Sequence, residues 1–224
     1  HLRNRRQRQM CIRDSCRSSL IYFYINLIYN ENMQKSLLKT TILLLILVSP
    51  RDYTNANDQI EKPELKIKIL VDISEQRLYL KSGEQTLVSY PISTSKYGEG
   101  SKENSFKTPL GNHIIKEKIG ENAPINTIFI SRINTKNIAS IENKPKNTEN
   151  DYVTSRIMWL EGEENGVNKG PGIDSYERYI YIHGTHEEGL IGVKASHGCI
   201  RMFNVDVIDL YDRIYNGTKV IIRA

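Results

Sequence analysis

Three cysteines in 224 residues are too few to staple a small domain, so a disulfide scaffold is excluded. Long apolar runs are also missing. The strongest, Ile42 to Val48, is too short for a comfortable membrane span. There is no internal repeat and no low-complexity tract. Charged residues make up 25% of the chain and hydrophobic ones 39%, a balance that argues against full disorder. What remains is a chain long enough for one domain or two small ones, with a sizeable core.

A formal net charge of +5 suggests nucleic acid or an anionic surface, until the charge is located. Residues 1–56 carry nine Lys/Arg and three acids, a net of +6. The other 168 residues hold 22 Lys/Arg against 23 Asp/Glu, a net of −1. Cys11 and Cys16 lie in the basic part, which leaves Cys199 alone in the body. A near-neutral body behind a basic leader gives no footprint for nucleic acid.

The leader is composite. From Met33 it has a short basic region (Lys35, Lys39), the apolar run, and a polar stretch ending in Thr54-Asn55-Ala56. That is the pattern of a secretory signal peptide over 33–56, cleaved after Ala56 or kept as an anchor. With no Cys at the cleavage point, a lipoprotein anchor is not expected. Membrane contact is expected through this segment only. In residues 1–32, Met10-Cys11-Ile12-Arg13-Asp14-Ser15 resembles a translated sequencing-library adaptor, and this stretch is expected to be foreign to the natural protein. Residues 57–64 read as a linker, and 65–224 as the folded domain.

In the body, Leu65, Ile67, Ile69 and Val71 alternate with polar residues, the pattern of a half-buried strand. Strands over 77–81 and 86–92 follow through tight turns and make a β-meander. Thr108-Pro109-Leu110-Gly111 is a turn leading into a strand over 112–119. Residues 129–133 read as a strand, 134–151 as an exposed loop, Met158-Trp159-Leu160 as a small apolar island and 162–172 as a flexible loop. A strand over 179–182 ends at His183-Gly184-Thr185. Asn204 is expected to cap a helix whose stripe is Val205, Ile208, Tyr211 and Tyr215, stopped by Asn216-Gly217. Residues 219–223 close the domain as a strand. The expected architecture is mainly β, a sandwich or barrel with one short helix near its C-terminal end.

Chemistry concentrates in residues 181–202, YIHGTHEEGLIGVKASHGCIRM, which hold three of the five histidines and the body's only cysteine. A lone thiol is buried and inert, paired between chains, or used. Here its neighbours favour use: His197 and Arg201 favour a thiolate, and Gly198 allows a tight turn. A nucleophilic cysteine needs a base in hydrogen-bond reach. His183, at a strand end 16 residues earlier, meets that need, with the Gly184 carbonyl available to orient its ring. Backbone N–H groups of Gly198 and Cys199 could form an oxyanion hole. The competing reading is a zinc site from His183, His186, His197 and Cys199, but H-x2-H is short for a helical pair and the segment carries loop signals.

The pair Ile182-His183-Gly184-Thr185 and Ser196-His197-Gly198-Cys199-Ile200-Arg201-Met202 resembles the L,D-transpeptidase catalytic domain, the YkuD family. Lys107-Thr108-Pro109-Leu110-Gly111 is similar to that family's T-P-x-G turn. The resemblance spans about residues 66–223. It implies a β-sandwich-like fold and acyl transfer on peptidoglycan stem peptides, in the periplasm or cell envelope, with no metal or organic cofactor. Cys199 would be the nucleophile, His183 the general base and acid, His197 a second active-site histidine and Gly184 the orienting carbonyl. Arg201 and Ser196 would support the motif loop and bind a substrate carboxylate, with Gly198 and Tyr181 also at the substrate. Trp159, with the 134–178 region, would be a lid or specificity element, unless it is simply core. The acceptor would be a neighbouring stem, an outer-membrane lipoprotein lysine, or water. The contrasting expectations are an L,D-carboxypeptidase, a zinc amidase, and a catalytically silent wall-binding module.

Overall fold

A computed structural model describes residues 67–224. The expectations for the foreign stretch, the signal segment and the linker lie outside these residues. Ten strands and one helix follow in the order β1 (Ile67–Asp72), β2 (Arg77–Ser82), β3 (Gln85–Ser93), β4 (Gly111–Ile119), β5 (Thr127–Ile130), β6 (Ile133–Ile138), β7 (Val153–Gly162), β8 (Tyr181–Thr185), β9 (Ile200–Met202), α1 (Asn204–Arg213) and β10 (Lys219–Arg223). The fold is mainly β, as the alternating pattern predicts. Among the described residues no helix is long and apolar enough to cross a membrane.

The strands form one sheet in the order β4-β10-β1-β2-β3-β9-β8-β7-β5-β6, and a further β4–β7 pairing closes eight of them into a hydrogen-bonded ring. β1, β2 and β3 are the expected antiparallel meander. Two neighbours run parallel: β1 with β10, and β8 with β9. The inward positions of the alternating strands fill the core, with Ile69, Val71, Leu78, Leu80, Ile92, Ile115, Leu160, Ile182 and Ile200 at 1% exposure or less. Each such side chain stabilises the fold by about 1.5–3 kcal/mol relative to leaving it in water. Val207 and Leu210 bring α1 onto the same cluster.

The structure corrects several expectations. Residues 129–133 are not one strand but the two arms of a β5–β6 hairpin turning at Ser131-Arg132, both with positive φ (47° and 70°). The hairpin carries β6 into the stretch expected to be loop. The Met158-Trp159-Leu160 island is the middle of β7, a ten-residue strand paired with β4, β5 and β8. It shows no alternation because Thr154 through Leu160 are buried on both faces. Within the 134–178 region, residues 134–138 and 153–162 are therefore sheet rather than lid.

The helix starts near the expected place, and its inward face is only partly the expected one: Tyr211 and Ile208 pack on the core. Its N-cap is Phe203, without a side-chain cap, and Asn204 is its first residue. Asn204 is 1% exposed. Its Nδ2 donates to the Thr185 carbonyl (2.7 Å) and Glu188 Oε1 (2.8 Å), and its Oδ1 accepts from Thr154 (2.7 Å) and Ser155 (2.5 Å). Those four bonds fix the helix phase, so Asn204, Val207, Leu210 and Tyr211 face inward. Val205 and Tyr215, expected in the stripe, are 63% and 52% exposed.

Candidate active site

The site lies where β8 and β9 run parallel. Their register pairs Ile182 with Ile200 and His183 with Arg201. Paired residues of a parallel ladder share a face, and residues two apart on a strand do too. Cys199, one step before β9, therefore projects beside Tyr181, on the same face as His183 and Arg201. The contacts agree. The Tyr181 N–H donates to Cys199 Sγ at 3.4 Å, and the thiol faces the Tyr179 carbonyl at 3.4 Å.

The motif loop is held by the backbone rather than by bulk. Ser196 Oγ donates to the Cys199 carbonyl (2.6 Å) and accepts from the Gly198 N–H (3.3 Å). Ala195 and Ser196 N–H both donate to the Thr94 carbonyl at 2.9 Å. Gly198 has φ +125°, a conformation reserved for glycine. From the T-P-x-G turn, buried Thr108 donates its hydroxyl to the Gly198 carbonyl (3.0 Å) and accepts from the Ser95 N–H (3.1 Å). Arg178 adds bonds from its guanidinium to the Lys107 and Gly100 carbonyls, 2.7 and 3.3 Å.

His183 is 2% exposed. Its Nδ1 lies 2.7 Å from the Gly184 carbonyl. A carbonyl only accepts, so Nδ1 carries the proton and Nε2 holds the lone pair. Burial pushes the imidazole down to about 4, partly opposed by Asp151 and by the Gly184 bond. The ring is neutral and basic at Nε2 near pH 7. Gly184 itself must be glycine: a Cβ would fall 2.6 Å from Asn204 Oδ1 and 2.8 Å from the Thr154 carbonyl.

The thiol departs from the sequence expectation. Burial pushes Cys199 up to about 12, opposed by the Tyr181 N–H, while Asp151 raises it further against Arg201 and Arg178. The resting group is a neutral thiol, not a thiolate. Arg201 does not reverse this because its charge is already matched. It is 1% exposed, pairs with Glu187 at 3.0 Å and contacts Asp151. Buried so, Arg201 supports the loop and presents no guanidinium for a substrate carboxylate. Ser196, 0% exposed, and the inward-turned Gly198 N–H likewise serve the loop in this state.

His197 occupies the open side of the site. With Glu103, Phe106, Arg178, Tyr179 and Ile180 it lines a cavity of about 190 Å³. Its Nδ1 is 2.8 Å from Asp151 Oδ2. Burial works against the Asp151 charge, but Arg201 and the bond from His197 outweigh it and hold the carboxyl below the usual range.

Aromatics wall the other side. Trp159 is 7% exposed, stacks on Tyr176 at 4.0 Å and meets Tyr181 edge-on at 5.5 Å. It belongs to the packed floor. Arg132, at the hairpin turn, lies 4.7 Å from the Trp159 ring and donates to the Tyr181 hydroxyl at 3.2 Å.

His186 is not brought to the thiol. Its Nε2 bonds Thr148 at 2.8 Å and its ring packs on Tyr152. Among the described residues no three or more His, Cys, Asp or Glu are grouped to hold a metal ion. Sequence reasoning missed Asp151 and Glu187. Asp151 lies 48 residues before Cys199 at the end of a polar loop, and no spacing links it to the motif.

The family model for the L,D-transpeptidase catalytic domain, YkuD, matches residues 66–222, and the chain belongs to that family. Among curated relatives, YkuD of Bacillus subtilis, which carries the name of an L,D-transpeptidase, is 54% identical over 46 residues. That match covers 20% of this chain and 28% of the relative, little more than a quarter of its length. YciB of the same species, likewise named, is 26% identical over 165 residues, 72% of this chain and 70% of that one. Among solved structures, an L,D-transpeptidase from Mycobacterium smegmatis aligns at 16% identity and a TM-score of 0.42, over 71% of this chain and 59% of that one.

Proposed function

We propose that the chain is a peptidoglycan L,D-transpeptidase working through a Cys199 thioester in the cell envelope. The observation that carries the reading is geometric: the parallel β8–β9 ladder sets Cys199 on the same face as His183, whose ring is held by the Gly184 carbonyl. His183 takes the thiol proton as the sulfur attacks, so no free thiolate has to form beforehand. Cys199 attacks the carbonyl of the third stem residue, and His183 Nε2 accepts the thiol proton. The Tyr181 N–H steadies the charge developing on sulfur. The tetrahedral intermediate collapses, His183 returns the proton to the leaving D-alanine nitrogen, and a thioester remains. An amine of a neighbouring stem or of a lipoprotein lysine then takes the acyl group. Water in its place gives an L,D-carboxypeptidase.

The test is intact-protein mass spectrometry after incubation with a tetrapeptide muropeptide and with a carbapenem. An adduct on the unsubstituted chain, absent from Cys199→Ala, supports the reading. Unchanged D-alanine release by Cys199→Ala overturns it. Muropeptide binding without any adduct or turnover points instead to a silent wall-binding module.

A further inference from the structure

Two histidines belong to the motif segments, His183 on β8 and His197 two residues before Cys199, and the proposed first half-reaction uses one. The other, His197, is set up differently. Its side chain is 41% exposed, against 2% for the whole of His183. It lines the open cavity, and Tyr97 and Phe106 pack around its ring at 5.9 and 6.1 Å. An ionised carboxylate only accepts, so the Asp151 contact puts a proton on Nδ1 and turns Nε2 away from Asp151. No described residue hydrogen-bonds that Nε2. Asp151 is in turn fixed by buried Arg201, and Arg201 by Glu187, which also accepts from the Thr148 N–H. The polar loop before β7 thus reaches the motif loop through one carboxylate.

From this geometry we infer that Asp151 is a positioning residue for the second half-reaction: it orients His197 so that Nε2 takes the proton of the acceptor amine as that amine attacks the thioester. The inference rests on the acyl-transfer reading above. The nitrogen–carbon bond forms as the nitrogen gives its proton to Nε2. The carbon–sulfur bond breaks with its electron pair going to sulfur. The proton then passes from His197 to the released thiolate, restoring neutral thiol and neutral imidazole. Asp151 faces the imidazolium formed in between. This is the arrangement in which a carboxylate holds a histidine in one tautomer and stabilises its charged form. Division of labour follows from exposure: the buried ring serves the donor strand, and the exposed ring meets an acceptor arriving from solvent.

The experiment uses the full chain with Asp151→Asn, Asp151→Glu, His197→Gln and the double variant Asp151→Asn/His197→Gln. Acylation is timed by carbapenem adduct formation. Transfer is timed by trapping the tetrapeptide-derived acyl-enzyme with an amine acceptor and separating transfer from hydrolysis products. Asp151→Asn is expected to lower transfer about tenfold or more relative to acylation, shifting products toward hydrolysis. Asp151→Glu should restore part of the transfer, and Asp151→Asn should add little on the His197→Gln background. Parallel loss of acylation and transfer, or equal effects of Asp151→Asn with and without His197, overturns this inference alone. No adduct on the unsubstituted chain overturns the acyl-transfer reading and this inference with it.

Discussion

The Thr108 hydroxyl donates to the Gly198 carbonyl at 3.0 Å, joining two segments 90 residues apart. The same hydroxyl accepts from the Ser95 N–H, so one buried side chain satisfies two backbone groups and presses the motif loop onto the end of β3. The T-P-x-G turn is therefore part of what aims Cys199, although it supplies no reacting atom.

Thr108→Val keeps the shape and removes the hydroxyl. It leaves the Gly198 carbonyl and Ser95 N–H without that partner, at a cost of about 1–3 kcal/mol. The urea midpoint should fall accordingly. The rate of carbapenem adduct formation should drop by more than the stability change alone explains, because the loop loses its register. Unchanged kinetics would show that the loop is aimed without Thr108.

Arg201 carries the next expectation. Removing it leaves Glu187, 3% exposed, as an uncompensated buried charge. Arg201→Met should cost about 3–5 kcal/mol. Thermal melting of the variant would read this directly, and a shift of only one or two degrees would refute it.

Gly184→Ala tests close packing. The added methyl has no room against Asn204 and Thr154, whose bonds also hold the start of α1. The variant should melt at lower temperature and lose acylation. Wild-type melting would mean that these neighbours yield easily.

Acid should destabilise the domain through two buried histidines. Burial pushes both His113 and His183 down to about 4. Unfolded, each titrates near 6.5, so between about 6.5 and 4 the unfolded chain binds more protons than the folded one. Stability therefore rises with pH through that window, falls as pH drops through it, and changes no further through these two groups below about 4. From pH 7 to pH 5 the loss is about 2 kcal/mol for each histidine. His113→Gln should lose less stability over that interval, read from urea midpoints at the two values. The acid limb of acylation should follow His183 and fall near pH 4, well below an ordinary histidine.

Alternation made β1 to β4 and β10 legible, because each has one inward face. It failed for β7, which is buried on both faces and holds Thr154, Ser155 and Arg156 inside. The helix was found and its face half read: Tyr211 and Ile208 pack inward as expected, but Asn204 is a polar residue turned inward by four tertiary bonds that no local pattern records. At the site, the two motif segments were readable, and the parallel strands β8 and β9 set them side by side. Asp151 and the neutral state of the thiol were not readable: the first depends on which distant carboxylate meets Arg201, the second chiefly on the desolvation of the sulfur.

The ring closes through β10, which lies between β1 and β4, yet β10 is made of Lys219–Arg223. Until those residues are synthesised, β1 and β4 each keep a bare edge and the two flanks of the site have no common frame. A chain halted before Lys219 already holds every reactive group but should be inert. The frame of the site is thus completed only when β10 is in place, so assembly of the fold and competence for chemistry are separate events.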